Sequence, residues 1–110
     1  MPKEKNPSVR ITDQFHGKKG MVYELRCEGT MLSISMIGAK PEGAKVETEW
    51  EAEATVKGPT IPLVATGIGP SRGEAFSVLR EVWCSQREGM AFPRLDWEAI
   101  RQALATVRAL

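Results

Sequence analysis

A chain of 110 residues, 42% apolar and 26% charged, fits one globular domain and argues against disorder of the whole. A formal charge of +1 gives no long-range field to gather nucleic acid or an anionic membrane, and no apolar run approaches the roughly 20 residues of a membrane helix. The two cysteines, Cys27 and Cys84, follow an N-terminus without a signal-like apolar run, so they are expected as reduced thiols in the cytoplasm.

Residues 1–8 carry Pro2 and Pro7 among charged residues and read as a flexible tail, leaving 9–110 as a single domain. Val9 and Ile11 alternate with Arg10 and Thr12 and predict a short first strand. Residues 13–20, with Gly17, Lys18, Lys19 and Gly20, read as a basic turn that leaves His16 in an exposed loop. In residues 21–28, Met21, Tyr23, Leu25 and Cys27 share one strand face, and Val22, Glu24, Arg26 and Glu28 the other. Glu28-Gly29 offers a hairpin turn into a strand over 31–37, with Leu32, Ile34 and Met36 on one side.

After a loop over 38–45, residues 45–57 alternate without a break. Val46, Thr48, Trp50, Ala52, Ala54 and Val56 face a core, while Glu47, Glu49, Glu51 and Glu53 face water, balanced by Arg26 and Lys57. A turn over 57–60 leads to a strand over 61–68, whose Pro62 marks a sheet edge or a strand start. Ser71 and Glu74 form a capping box, which starts a helix on Ala75, Phe76, Val78, Leu79, Val82 and Trp83 that Gly89 stops. Cys84 lies off the centre of that stripe, so a bridge to Cys27 has poor geometry. Asp96 caps a second helix, with Leu95 and Ile100 as its hydrophobic staple and Trp97, Ile100, Leu104 and Val107 buried. Ala103 and Leu110 lie at the margin of that stripe, and Arg101 and Arg108 flank it. The expected fold is α+β: an antiparallel β-meander of four to five strands with two C-terminal helices packed on one face.

No catalytic, cofactor or metal set emerges. His16 has no nameable nucleophile or orienting partner, and one histidine with two distant cysteines does not make a metal site. The glycines from Gly67 to Gly73 follow a strand and open a helix, a context that binds phosphate, but their spacing misses the dinucleotide fingerprint by one residue and lacks the P-loop ending. A turn plus a helix cap accounts for them. Lys3, Lys5, Arg10, His16, Lys18 and Lys19 form a basic N-terminal region, and Arg10, Lys18, Lys19 and Arg72 are the candidate anion or nucleic-acid contacts. Trp50, Trp83 and Trp97 are expected in the core.

The succession of a strand, Gly69, Ser71, Glu74-Ala75 and Leu79 resembles the strand-to-helix junction of HicB-type antitoxins and of related degenerate double-stranded-RNA-binding folds, covering about a quarter of the chain. The resemblance implies a three- or four-stranded antiparallel sheet crossed by a helix. The helix from Asp96 onward is foreign to that pattern, and Arg72 alone stands where RNA-binding members carry a lysine cluster. Two functions are therefore expected in competition. The first is a small non-enzymatic binding or regulatory module acting through protein contacts, with a protein partner or a homo-oligomer. The second is a nucleic-acid-binding module using the basic N-terminal region and the helix start.

Overall fold

Period-two alternation sorts the strand residues onto two faces, and the helices cover only one of them. A computed structural model describes residues 9–18, 20–39, 49–57, 61–87 and 92–110. Its elements run β1 (Val9–Gly17), β2 (Gly20–Cys27), β3 (Thr30–Ala39), β4 (Glu49–Val56), β5 (Leu63–Gly69), α1 (Arg72–Arg87) and α2 (Trp97–Thr106). The five strands pair antiparallel in the order β1-β2-β3-β4-β5, so the sheet is a meander and the chain is an α+β fold with both helices C-terminal. The flexible tail assigned to residues 1–8, together with Lys19, Val46, Glu47, Thr48 and Gly89, lies outside the described residues.

Local chemistry explains most of the boundaries. Glu28 (φ 51°) and Gly29 (φ 90°) both take positive φ, the backbone of a tight two-residue hairpin between the paired Cys27 and Thr30. Pro62 has no N–H to give a ladder, and β5 begins at the next residue, on the sheet edge. The Glu74 N–H donates to Ser71 Oγ (3.1 Å) and the Ala99 N–H to Asp96 Oδ1 (3.1 Å), so both expected N-caps form.

The first strand is longer than its composition suggests. Residues 13–17, expected as part of a turn, continue β1 and pair with β2 up to Gly17 opposite Gly20. The ladder absorbs one extra residue at Thr12, where the register shifts between Ile11 and Asp13. Thr12 Oγ1 donates to the Glu24 carbonyl (3.2 Å) at that bulge. Pairing with β2 supplies the order that the polar, glycine-containing sequence does not, and His16 is exposed on a strand rather than in a loop.

The covered face of the sheet changes height across its width. Tyr23, Leu25, Leu32, Ile34 and Met36 fill its middle, whereas Ala52, Ala54, Ala65, Gly67 and Gly69 make β4 and β5 nearly flat. Helix α1 settles on the flat part. A Cβ on Gly67 would stand 2.5 Å from the Ala75 carbonyl oxygen, and one on Gly69 2.8 Å from the Ala75 nitrogen. Helix and strand thus touch backbone to backbone, a contact open only to glycine. Ala75, Phe76, Leu79 and Trp83 are buried there, while Val78, expected in the same stripe, is exposed. Trp50, expected under the helices, is half-buried at the end of the sheet, where the Arg72 guanidinium covers its ring at 5.1 Å from the centroid.

An aromatic cluster joins the helices. Trp83 meets Phe92 (4.6 Å) and Trp97 (5.8 Å), and Trp97 meets Phe76 (5.6 Å), all edge to face. Trp83 Nε1 donates to the Pro93 carbonyl (3.0 Å), fixing the segment that leads into α2. Helix α2 then lies against β1. It ends at Thr106, short of Val107, which was expected in its buried stripe and is exposed. The Arg108 N–H donates to Ala105 O (2.9 Å) and the Ala109 N–H to Leu104 O (2.8 Å), with Arg108 at φ 61°. This is a Schellman stop, and it replaces Val107 by Ala109 as the buried contact beside Leu104.

Two substitutions check this packing. Gly67→Ala drives a methyl into the α1 backbone and is expected to cost about 2–3 kcal/mol, at the upper end of overpacking. An unshifted urea midpoint would mean that α1 does not seat on β5. Arg108→Gly relieves a left-handed residue of roughly 1–2 kcal/mol and gives back part of it as chain entropy. A net gain of about 0.5–1 kcal/mol in denaturant unfolding is expected; a loss would count against the αL stop.

Candidate functional site: the open face of the sheet

The register that buries one face defines the other. Opposite the helices stand Arg10, Asp13 and Phe15 on β1, paired with Arg26, Glu24 and Val22 on β2. Met31, Ser33, Ser35 and Ile37 follow on β3, with Glu49, Glu51, Glu53 and Thr55 on β4 and Val64, Thr66 and Ile68 on β5. No described helix lies over this surface. Phe15 is 42% exposed, Met31 45%, Val64 42% and Ile68 52%, with Val22 and Ile37 half-buried between them.

Charge on this face is uneven. Glu49 is exposed, while Glu51 and Glu53 are half-buried among Ile37, Ile68 and the small Ser35 and Thr66. The described members of the expected glutamate row, Glu49, Glu51 and Glu53, therefore occupy the outer face, but they border apolar residues instead of standing alone in water. Asp13 pairs with Glu24, and Arg10 with Arg26, so like charges oppose and each pair is offset by the next along the strands. Among the described strand residues, five carboxylates, on Asp13, Glu24, Glu49, Glu51 and Glu53, stand against the guanidiniums of Arg10 and Arg26, with Lys57 exposed just past the end of β4.

The candidate nucleic-acid contacts do not converge. Arg10 sits on the open face near the start of β1, and Lys18 in the turn at its far end, roughly 25 Å away at the rise of a strand. Arg72 opens α1 beside β5 on the opposite sheet edge, roughly 19 Å from β1 at the usual strand spacing, with its guanidinium over Trp50. Lys19 lies outside the described residues. At the start of α1, Ser71 Oγ already accepts the Glu74 N–H and Ser71 O the Ala75 N–H. Gly67 and Gly69 admit the helix to the strand rather than a phosphate to the backbone. Sequence reasoning missed the apolar half of the open face because it followed the glutamates. The signal was there: Met31 and Ile37 on β3, and Val64 and Ile68 on β5, are apolar at positions that should face water.

The thiols have opposite surroundings. Cys27 is buried and Cys84 exposed, and both are free. Cys27 lines a water-sized cavity of about 20 Å³ with Val9, Glu28, Arg94, Leu95 and Asp96. Burial first, then the Asp96 and Glu28 carboxylates, push its pKa from the usual 9.0 up to about 11. On the surface of α2, Glu98 pairs with Arg101 one turn on; the guanidinium lowers the Glu98 pKa and the carboxylate raises that of Arg101.

In the folded protein a disulfide-exchange reagent should modify Cys84 readily and Cys27 only after denaturation. Two fast-reacting thiols in native buffer would contradict the burial of Cys27. Because Cys27 holds its proton more tightly folded than unfolded, its contribution to stability is complete below pH 9 and is lost as pH climbs toward about 11. Unfolding midpoints of the wild type and of Cys27→Ala across that window should converge as pH rises.

No family model matches the chain, and no curated protein or solved structure matches it either.

Proposed function

We propose that this protein is a small non-enzymatic binding or regulatory module that acts through protein contacts made by the open face of its sheet. The observation that carries the reading is the set of exposed apolar residues Phe15, Met31, Val64 and Ile68 on a face that no described helix covers. Phe15 with Val22 on one side of the sheet, Ile37 on β3 and Ile68 on β5 give apolar contact points across its width, and a partner spanning the sheet would meet them through the polar residues that separate them. Here the serines, threonines and glutamates of β3 and β4 supply the polar component.

The same face disfavours the nucleic-acid alternative. Its carboxylates outnumber its guanidiniums and would lie under any polyanion laid across the sheet, and Arg10, Lys18 and Arg72 are too dispersed to track one backbone. We place the protein in the cytoplasm because both of its cysteines are free thiols. Among the described residues, no helix is long and apolar enough to cross a membrane.

Affinity capture of the tagged chain from its native cell, with and without nuclease, tests the reading. A protein companion should survive nuclease and fall about tenfold or more with Met31→Ser and Ile68→Ser, the loss expected from removing anchors worth about 1.4 kcal/mol or more. Arg72→Gln should leave recovery unchanged. A companion that nuclease releases, or that depends on Arg72 and ignores Met31 and Ile68, would move the function to nucleic acid.

A further inference from the structure

The edges of the sheet are unequal. On one side β5 is shortened by Pro62 and packed under α1; on the other β1, against which α2 lies, runs from Val9 to Gly17 with Thr12, Asp13, Gln14, Phe15 and His16 still exposed. Pairing of Gly17 with Gly20 across a two-residue connection fixes which backbone groups of β1 are free. Gly17, Phe15 and Asp13 turn their N–H and C=O toward β2, and Gln14 and His16 turn theirs outward. One hydrogen bond reports the same parity: the Gln14 N–H donates to Oδ1 of the preceding residue, Asp13 (2.9 Å). That carboxylate occupies a donor which would otherwise extend the sheet.

We propose that the free edge of β1 pairs antiparallel with β1 of a second copy of this chain, about a two-fold axis at Phe15. In this register Gln14 stands opposite His16 of the second copy, and both residues have outward backbone groups. Each of the two equivalent pairs then exchanges both of its hydrogen bonds. Phe15 meets Phe15 of the second copy at the closely spaced position on the open face, which covers an exposed ring. Asp13 comes within a residue of Lys18 of the second copy, so the carboxylate that releases the Gln14 N–H gains a cation in exchange. No like charges oppose one another along the segment. The bulge at Thr12 limits the pairing to the part of β1 beyond it. A segment this short covers less than the roughly 1,200 Å² of a stable interface, so the dimer is weak and concentration-dependent.

The inference rests on the protein-contact reading, to which it adds the partner and the surface. Sedimentation equilibrium of the full chain between about 10 μM and about 1 mM, a span that covers weak association, should show the average mass rising from one chain toward two. Amide exchange at Gln14 and His16 should slow over the same range. Phe15→Asp should hold the protein at one chain with its fold intact by circular dichroism. Asp13→Lys and Lys18→Glu should each weaken association, and the double variant should restore it, because the exchange re-forms the ion pair across the axis. A single-chain mass at every concentration, or a dimer indifferent to Phe15→Asp and to the charge exchange, overturns the proposal. If the mass stays single while Met31→Ser still releases a captured companion, self-pairing alone has failed. If the only companion is nuclease-sensitive, the protein-contact reading has failed, and a mass rise that obeys the charge exchange would still establish the pairing.

Discussion

Where α1 crosses β5, the contact lies between two backbones, with no side chains between them. At Gly67 and Gly69 the strand has no Cβ, and Ala75 and Leu79 of the helix come down onto it. The alanines of β4 and β5 extend the same low surface, so α1 sits closer to the sheet than two layers of leucine would allow. From that height the rest of the core follows. Phe76 and Trp83 reach sideways to Trp97 and Phe92, and this aromatic edge positions the second helix over the bulkier strands. A larger residue at either glycine would lift α1 and open the aromatic contacts together.

Turns, caps and strand alternation were legible in the sequence because they are local. The Glu28-Gly29 turn and the Ser71 and Asp96 cap oxygens each act within four residues, and the structure uses all three. Less was legible where one element depends on another. Residues 13–17 look like a turn until β2 is there to pair with them. Val78 belongs to the helical stripe by spacing, but a helix resting on glycine turns only its lowest residues into the core. Val107 is lost to the stripe because Arg108 adopts positive φ and swings the chain so that Ala109 is buried instead. Arg10, Lys18 and Arg72 are not neighbours in the fold, because the meander sets them at different ends and edges of the sheet.

The open face and the β1 edge are two aspects of one asymmetry. Both helices follow the sheet in the chain and both lie on one side, leaving the other without a helix among the described residues. Glutamates on β4, an aspartate on β1 and a bulge beside it keep this surface and its edge hydrated in the isolated chain. Charged groups of that kind restrict a surface to partners able to answer them, which is how an exposed sheet remains selective.

The meeting of α2 with β1 also bears on what it costs to close the fold. Nearly every major contact joins elements that are consecutive, or nearly so, from the β1–β2 hairpin to α1 on β5 and β4. The α2–β1 contact joins the last element to the first across the whole meander. Closing a loop costs entropy that grows with its length, so of the major contacts this one carries the largest closure cost. Val9, Cys27, Leu95 and Asp96 line one small cavity at that junction. The join between the first strand and the last helix thus rests on side-chain packing, with no short turn to hold the two together.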